Sequence, residues 1–394
     1  MPRSPFTTLA DISDEAYQDE VLPHVSRTFA LTIPELPAGL RRAVTSAYLL
    51  CRIADTIEDE PALSAADTDR YLKRFAAVVA GHEEPAPLAR EVAASLSERT
   101  LPAEHDLVRN MERVIRVTSS LGPEQRAAIR RCIDLMCYGM HHFQRTASLN
   151  GLARSSDLDS YCYYVAGVVG EMLTELFCVH SAAAAARRAA LRELATSFAQ
   201  GLQMTNILKD VWEDRSRGAC WLPRDVFARH GVDLVRLQPT PFDTRFGAGL
   251  NELIGVAHAH LRNAIAFTLQ IPREEPGIRR FCLWSIGLAV LTLRGIASRP
   301  QFTSGSEVKV SHAAVALTRL TTSLAVRSDR ALLRLFGWAA AGLPLAAPTE
   351  VNRHSRAASV AAQKLQAVVQ YESESAVPMR YGRAPQRSDG SSAP

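Results

Sequence analysis

This sequence has no closely spaced cysteine pair, few lysines and a small net charge. Each of these features argues against a class of protein. The seven cysteines of the 394 residues are scattered with no C-x-x-C pair, which excludes a zinc ribbon or a disulfide framework and leaves buried thiols. Only four lysines occur, and the formal net charge of +4 is small for the length, so no nucleic-acid partner is expected.

Long apolar runs are also absent. The N-terminal segment has no apolar stretch of the kind that a secretory signal needs. The longest run without a charged residue, 335–349, contains two glycines and two prolines and is shorter than the roughly 20 residues of a spanning helix. We therefore expect a cytoplasmic protein without a transmembrane helix, whose contact with the inner membrane is peripheral at most.

Helical periodicity dominates what the sequence does contain. Apolar residues recur every three or four positions, and no series of alternating, strand-like segments occurs. The helical segments are 38–60, 67–81, 86–98, 105–118, 123–145, 157–180, 186–214, 244–270, 277–298 and 311–340. Short Gly- and Pro-rich joints separate them, so we predict an all-α fold whose neighbouring helices pack antiparallel in one bundle. We assign residues 1–350 to this domain, and 351–394 to a polar C-terminal extension that is largely disordered.

Four carboxylates arrive within six residues at the end of an apolar helix, in the stretch CRIADTIEDE at 51–60. Asp55 and Asp59 are four residues apart and share one helix face, with Arg52 one turn before them. The pattern is weak alone, because about one D-x-x-x-D pair is expected by chance at this length. A helix end that emerges into water would explain it equally well.

A second pair favours a cation site. The stretch GLQMTNILKDVWEDRSRGACWLP at 201–223 places Asp210 and Asp214 four residues apart, with Gln203 and Asn206 upstream on the same stripe. Two polar stripes on apolar helices carry a large desolvation cost if they face a dry core unpaired. Across a cavity with hard cations between them they become ligands, and aspartates with water and substrate phosphate suit Mg²⁺.

The segment DLDSYCYYVAGVVGEMLTELF at 157–177 predicts an organic pocket. Three tyrosines, Tyr161, Tyr163 and Tyr164, are followed by the small residues Ala166, Gly167 and Gly170. Small residues leave volume, and tyrosine can stabilise a carbocation through its ring face or handle a proton through its phenol. The alternative is a helix–helix contact in which glycine permits close approach. Combined with magnesium-bound diphosphate and a helical bundle, the pocket indicates an enzyme that ionises prenyl diphosphates.

At these residues the chain resembles the squalene/phytoene synthase family of head-to-head prenyl transferases. The matching stretches are SRTFALTIPELP (26–37), YLLCRIADTIEDE (48–60), YCYYVAGVVGE (161–171), LQMTNILKDVWEDRSRGACWLP (202–223) and FCLWSIGLAVLTL (281–293). The resemblance implies a single-domain isoprenoid synthase bundle with a central apolar cavity and two aspartate motifs that hold Mg²⁺, with Mn²⁺ as a substitute.

The resemblance also implies roles for residues at matching positions. The metal ligands would be Asp55, Glu58, Asp59, Asp210 and Asp214, and Tyr161 is at the position of the catalytic tyrosine. Substrate and diphosphate would contact Ser26, Thr28, Tyr48, Arg52, Val165, Ala166, Gln203 and Asn206. Ala219 stands where the family often has an arginine, and Arg215 and Arg217 are close enough in sequence to substitute for it.

The stretch SGSEVKVSHAAVA at 304–316 resembles the segment with which squalene-forming members bind NADPH. Lys309 lies in that segment, and Arg27, Arg52 and Lys209 are at other matching positions near the nucleotide phosphates. The chain length also favours this branch. We therefore expect two farnesyl diphosphates to be joined through presqualene diphosphate and reduced with NADPH to squalene, by a monomer that contacts a membrane surface only to release product.

Other readings stay open. A phytoene or dehydrosqualene synthase, or a presqualene diphosphate synthase, would use the same site without the reductive step. A class I terpene cyclase is disfavoured because both motifs are complete D-x-x-x-D pairs. A non-catalytic helical scaffold is the alternative outside the enzymes.

Overall fold

Helices form the whole architecture of the described chain. The computed structural model describes residues 12–26, 28–145 and 147–347, so Arg27 and the predicted extension at 351–394 lie outside the described residues. Within these ranges there are eighteen α-helices and no β-strand beyond one isolated bridge between Leu152 and Pro223. The all-α prediction is confirmed, whereas the predicted domain boundary at residue 350 stays a prediction.

The helices are α1 (Asp14–Val25), α2 (Phe29–Thr32), α3 (Ala38–Glu58), α4 (Ala65–Val79), α5 (Pro85–Ser95), α6 (Pro102–Arg109), α7 (Met111–Ser119), α8 (Pro123–Gln144), α9 (Ser155–Cys162), α10 (Val168–His180), α11 (Ala182–Ala185), α12 (Arg188–Lys209), α13 (Val211–Ser216), α14 (Arg224–Arg229), α15 (Thr244–Gln270), α16 (Pro276–Ser298), α17 (His312–Ala325) and α18 (Asp329–Ala339). Two 3₁₀ turns, Ile33–Glu35 and Gly305–Val308, and a π-helical segment, Tyr163–Gly167, complete the set.

The helix starts follow from the sequence. Serine precedes α1, α4, α17 and α18, and in each case its hydroxyl accepts a backbone N–H of the first turn. Proline opens α5, α6, α8 and α16, where its missing N–H costs nothing because that position has no intrahelical acceptor. The bundle is therefore divided largely by local capping chemistry.

Helix α12 lies at the centre of the bundle. It packs along α15 and also contacts α10, α16 and the π-helical segment, while α3 and α8 pack on the far side of α10. Glycine permits the closest approaches: a Cβ on Gly201 would lie 3.1 Å from the backbone nitrogen of Leu261, and one on Gly170 only 2.2 Å from the carbonyl oxygen of Ala195. These helices enclose the apolar cavity described below.

Four segments that were each predicted as one continuous helix are interrupted in the structure. The segment 105–118 divides at Asn110, and 311–340 divides between α17 and α18. The segment 157–180 contains the π-helical turn, and 186–214 divides at Asp210. Apolar periodicity misses such breaks because the helical phase resumes after them. Helix α1 and the short helices α2, α11 and α14 were not predicted.

Two helical stretches are long and apolar enough to cross a membrane, Ser155–His180 and Pro276–Ser298. In each stretch, 61% of an apolar segment of 18 residues is buried inside the protein, as in the core helix of a bundle. A search for charge-free runs passes over both because they contain acidic or arginine side chains. No clear transmembrane span is therefore found among the described residues.

Candidate active site

The two aspartate motifs converge on one cleft. The first ends α3, and the second lies where α12 meets α13. Arg217 spans them, with guanidinium nitrogens 3.8 Å from a carboxylate oxygen of Asp59 and 3.2 Å from one of Asp214. All five predicted metal ligands line the same space, of about 360 Å³: Asp55, Glu58, Asp59, Asp210 and Asp214. Gln203, Asn206 and Tyr161 line it as well.

The second motif is not on one unbroken helix. Helix α12 ends at Lys209, and Asp210 occupies the joint before α13 with φ −95° and ψ 14°. The backbone N–H of Asp214 still donates to the carbonyl of Asp210 at 2.9 Å. The joint therefore preserves the spacing of one helical turn, and both aspartates face the cleft.

Burial and mutual repulsion raise the pKa values of the cleft carboxyls. Burial is the main cause for Asp55, whose pKa rises to about 6 even though Arg52 opposes the shift. Burial likewise raises the pKa of Asp214 to about 7, with Arg217 opposing and Asp210 and Asp59 reinforcing the rise. The Asp55 side chain is 39% exposed, but the water that reaches it lies in a cleft walled by protein, so desolvation still dominates.

The donor set of the cleft fits a hard divalent cation. Glu58 has a buried carboxylate oxygen with no hydrogen-bond partner among the described residues, and burial, Asp59 and Asp55 raise its pKa well above the ordinary value. Among the described residues, no three His, Cys, Asp or Glu side chains are close enough together to hold a metal ion by themselves. Mg²⁺ does not need such a cage, because it commonly binds through one or two carboxylates, water and substrate phosphate.

Arg52 lies at the mouth of the cleft between two carboxylates. Its Nη1 atom is 3.9 Å from Asp55 and 3.7 Å from Glu104, which α6 supplies. Its Nε atom is buried without a hydrogen-bond partner in the described chain. Glu104 was not predicted, because nothing in its own sequence context connects α6 to the end of α3.

Only one of the three predicted tyrosines reaches the cleft. Tyr161 stacks on Trp221 with ring centroids 4.1 Å apart and planes 9° apart, and Phe143 packs edge-on against it at 5.3 Å. Tyr163 is fully buried and donates its hydroxyl to Glu171, while Tyr164 lines a separate cavity beside Tyr138. The three tyrosines therefore do not share one pocket, because helical geometry turns positions 163 and 164 by about 200° and 300° from position 161.

Small residues after Tyr161 serve both predicted purposes. Ala166 and Gly170 line the apolar cavity, which agrees with the predicted pocket, whereas Gly167 packs against Tyr163 and Thr196 and does not line it. Gly170 also permits the close approach of α10 to α12, which agrees with the alternative of a helix–helix contact.

An apolar cavity of about 580 Å³ adjoins the cleft. Aromatic side chains from four elements line it: Phe29, Tyr48, Phe198 and Phe281. Two of the predicted substrate residues are held by hydrogen bonds at its α2 side. Ser26 Oγ accepts from the backbone N–H of Phe29 at 3.0 Å, and the Tyr48 hydroxyl donates to the carbonyl of Val25 at 3.1 Å.

The cavity and the cleft share a common wall. The predicted substrate residues that line the cavity are Ser26, Thr28, Tyr48, Arg52, Val165, Ala166, Gln203 and Asn206. Of these, Arg52, Val165, Gln203 and Asn206 also line the cleft, together with Asp55. The structure thus brings the predicted substrate set and the predicted metal set to one continuous space.

A third space, the outer chamber, also adjoins the cleft and has a volume of about 570 Å³. The residues that line both it and the cleft are Arg52, Glu58, Asp59, Gln144, Asp214, Arg217 and Trp221. Arg217 and Trp221 therefore lie in the wall between the two. Arg215 points elsewhere and donates to the carbonyls of Leu149 and Leu237, so of the two candidate substitutes only Arg217 reaches the cleft.

The predicted nucleotide-binding residues are only partly brought together. Lys209 lines the cleft, with its Nζ atom 3.0 Å from Asp210. Lys309 is exposed and does not line the cleft or the cavity. Its segment nevertheless packs on the second motif, because Glu213 accepts from the backbone N–H of Gly305 at 2.8 Å and from Ser304 at 3.1 Å. The fourth residue, Arg27, lies outside the described ranges.

A helical bundle whose apolar cavity opens onto two facing carboxylate motifs is the architecture of a prenyl-transferase-like enzyme. The profile of the squalene/phytoene synthase family matches residues 22–314, and the chain belongs to that family. The predicted family is thereby confirmed.

Known relatives agree with this assignment. Squalene synthase ERG9 of Candida albicans is 28% identical over 327 residues, which cover 79% of this chain and 67% of the relative. Squalene synthase BSS of Botryococcus braunii is 29% identical over 279 residues, covering 68% of this chain and 56% of the relative. The alignments thus span between about half and two thirds of these relatives' lengths.

Solved structures share the fold. The structure of TcSQS with the ligand BPH1237 has a TM-score of 0.68 at 24% identity, covering 89% of this chain and 98% of the other. A dehydrosqualene synthase in complex with a ligand has a TM-score of 0.58 at 21% identity, covering 82% and 97%. At these identities the likeness establishes the all-α fold and leaves the reaction to other evidence.

Proposed function

We propose that this protein joins two molecules of farnesyl diphosphate head to head through presqualene diphosphate and reduces the intermediate with NADPH to squalene. One observation carries the proposal: a cavity of about 580 Å³ lined largely by apolar side chains opens directly onto a cleft with five carboxylates and two arginines. A cavity of that size lies within the range of about 300–1,000 Å³ that is usual for ligand sites. The squalene synthases among the relatives support the choice of product.

The apolar cavity would hold and orient the two prenyl chains. The rings of Phe29, Phe198 and Phe281 line it, and an aromatic ring can stabilise an allylic cation through its π face. Apolar walls also exclude the water that would otherwise quench such a cation.

The charged cleft would hold the diphosphates. Arg52 and Arg217 present guanidinium groups that can bind phosphate oxygens in a bidentate manner. Mg²⁺, or Mn²⁺ in its place, held by Asp55, Asp59, Asp210 and Asp214 with Glu58, would stabilise the negative charge that develops on the departing diphosphate. The paired spacing of the carboxylates on facing helices supports this assignment.

Tyr161 would act as a neutral phenol in the cleft. Burial raises its pKa well above the ordinary value, and Glu58 and Asp59 add to the rise, so the hydroxyl keeps its proton at neutral pH. A protonated phenol can donate a hydrogen bond to an anionic leaving group, and the stack on Trp221 fixes its ring. The released diphosphate would accept the proton that is lost during ring closure, and the hydroxyl of Tyr161, bonded to that diphosphate, would lie on the proton's path.

NADPH would bind through cationic side chains beside the two aspartate motifs. Arg52 and Lys209 line the cleft and would meet the nucleotide phosphates, and they contact Asp55 and Asp210 in this structure. Lys309 directly follows the 3₁₀ turn Gly305–Val308, whose first residue donates its backbone N–H to Glu213 of the second motif. Arg27, at a matching position of the family, would add a further cation for the nucleotide phosphates.

Product analysis tests the proposal. We expect the purified chain, with farnesyl diphosphate and Mg²⁺, to release diphosphate and to form squalene only when NADPH is added.

Asp55→Asn or Asp210→Asn should lower turnover by about 100-fold or more, because each removes a cation ligand, and should leave the helical circular dichroism spectrum unchanged. Asp19→Asn, at an exposed aspartate of α1, is the matched control and should retain full activity.

Each alternative predicts a different result. Identical products with and without NADPH would favour a dehydrosqualene, phytoene or presqualene diphosphate synthase. No release of diphosphate from any prenyl diphosphate would favour a non-catalytic scaffold. Full activity in Asp55→Asn or Asp210→Asn would contradict the metal-site assignment.

A further inference from the structure

Helices α17 and α18 present an apolar surface with no partner in the described chain. Leu317, Leu320 and Leu324 lie at i, i+3 and i+7 of α17 and are 54%, 59% and 82% exposed. Leu333 and Trp338 of α18 are 49% and 70% exposed. A single exposed leucine is ordinary on a protein surface, whereas several large exposed apolar side chains on two helices that contact each other mark an interaction site. We call this surface the leucine face.

Basic side chains surround the leucine face. Between residues 309 and 347 the chain has five lysines and arginines and one acidic residue, Asp329. That aspartate is already paired with Arg273 and Arg279. Arg327, Arg330 and Arg334 are exposed, and none has a carboxylate within 4.0 Å among the residues with described positions. The surface therefore carries unpaired positive charge around exposed leucine and tryptophan.

The leucine face lies one helix away from the apolar cavity. Helix α17 packs closely on α16, where a Cβ on Gly287 would meet Thr318 at 2.5 Å. The opposite side of α16 supplies Phe281 and Ser285 to the cavity wall. Leu31 of α2 shares a small groove with α17, and the neighbouring Phe29 lines the cavity. A partner on the leucine face would thus sit beside the part of the bundle that covers the apolar space.

We propose that the leucine face docks the protein onto the surface of an anionic lipid bilayer. Leucines and a tryptophan can insert at the boundary of the acyl chains while arginines contact anionic headgroups. The 14 residues of α17 are too few to cross a bilayer, so the helix lies in the interface. The inference does not depend on the proposed reaction.

The charge pattern argues against the two other occupants. A two-fold dimer would place the same arginines opposite one another and repel itself. Residues 348–394 carry six lysines and arginines against four acidic residues, so they too lack the negative charge that would complement the face. An anionic lipid surface supplies it.

Vesicle co-sedimentation of the full chain tests the proposal. We expect binding to phosphatidylglycerol–phosphatidylcholine vesicles, at least about tenfold weaker binding to pure phosphatidylcholine, and weakening by high salt. The double variant Leu320→Glu with Leu324→Glu should bind at least about tenfold more weakly, since two inserted leucines are replaced by charges. Val235→Glu, at an apolar residue that is 49% exposed in the loop between α14 and α15, is the matched control and should bind like the wild type.

Two measurements keep the result unambiguous. Circular dichroism and diphosphate release without vesicles should be unchanged in the double variant, which separates a docking defect from unfolding and from failure of the catalytic proposal. Wild-type protein that stays in the supernatant with anionic vesicles would overturn the inference. So would a dimer in solution that the double variant dissociates, because the face would then be occupied by a second copy.

Discussion

Single side chains decide how the cleft responds to pH. Asp214 lies between Asp210, Asp59 and Glu213, and burial raises the pKa of its carboxyl to about 7. A folded-state pKa above the unfolded value means that the folded state binds the proton more tightly. The contribution of Asp214 to the free energy of unfolding therefore becomes less favourable as the pH rises from about 4 to about 7.

Asp214→Asn should reveal this contribution. Without added metal, we expect the variant to be more stable than the wild type at pH 8, by a free energy of unfolding on the order of 2 kcal/mol, because its amide carries no charge. Near pH 4 the difference should disappear, since the wild-type carboxyl is then protonated in the folded state.

Urea unfolding at several pH values measures the difference. Added Mg²⁺ should stabilise the wild type at pH 8 and the variant much less, because the amide is a poorer ligand. A gap of the same size at pH 4 and pH 8 would show that Asp214 is not buried among like charges.

The sequence is sufficient to place the carboxylates but not their partners. Asp55, Asp59, Asp210 and Asp214 could be located because helical spacing is a local property. Glu104 contacts Arg52 from a different helix, and no spacing rule connects the two positions. Trp221 was visible in the second motif, but its stack on Tyr161 depends on the path of the chain after α13.

At the scale of elements, periodicity predicts helices better than it predicts their joints. Helix α15 begins and ends at the predicted residues, because its apolar face continues without a break from Thr244 to Gln270. The joint at Asp210 and the π-helical turn at Tyr163–Gly167 were missed because each adds or removes only a fraction of a turn. Both occur where side chains enter the cleft, in keeping with the tendency of such irregularities to mark functional sites.

The contact of α10 with α12 depends on the absence of a side chain at Gly170. A Cβ there would lie 2.2 Å from the carbonyl oxygen of Ala195, which is backbone and cannot turn aside. We expect Gly170→Ala to lower the free energy of unfolding by about 1–3 kcal/mol, because the helices must separate. Urea unfolding followed by circular dichroism measures the change.

Gly337→Ala is the matched control. Gly337 is also helical, but nothing lies within 4 Å of its missing Cβ. Alanine should therefore stabilise α18 by about 0.5–1 kcal/mol through its better helix propensity. Equal effects at the two positions would mean that the α10–α12 contact is not tight.

At the scale of the whole molecule, the bundle separates an apolar interior from a charged opening. Ala199 of α12 lines the apolar cavity. We expect Ala199→Phe to lower formation of the condensed product by about tenfold or more, because the ring occupies volume needed to position the second prenyl chain. The helical circular dichroism spectrum should be retained.

Product analysis with farnesyl diphosphate checks this prediction, and the shorter geranyl diphosphate gives a second readout. Rescue of turnover with the shorter chain would support a loss of cavity volume. Ala94→Phe, at an exposed alanine of α5, should leave activity unchanged. Wild-type activity in Ala199→Phe would place the prenyl chains elsewhere.

The wall that holds Arg217 and Trp221 has a consequence for the two products of the proposed reaction. Both side chains line the cleft and the outer chamber, while Gln203 and Asn206 line the cleft and the apolar cavity. We therefore expect inorganic diphosphate to depart past Arg217 through the outer chamber while the hydrocarbon stays in the apolar cavity. The water-soluble product would then leave first, without crossing the space that holds the oily one.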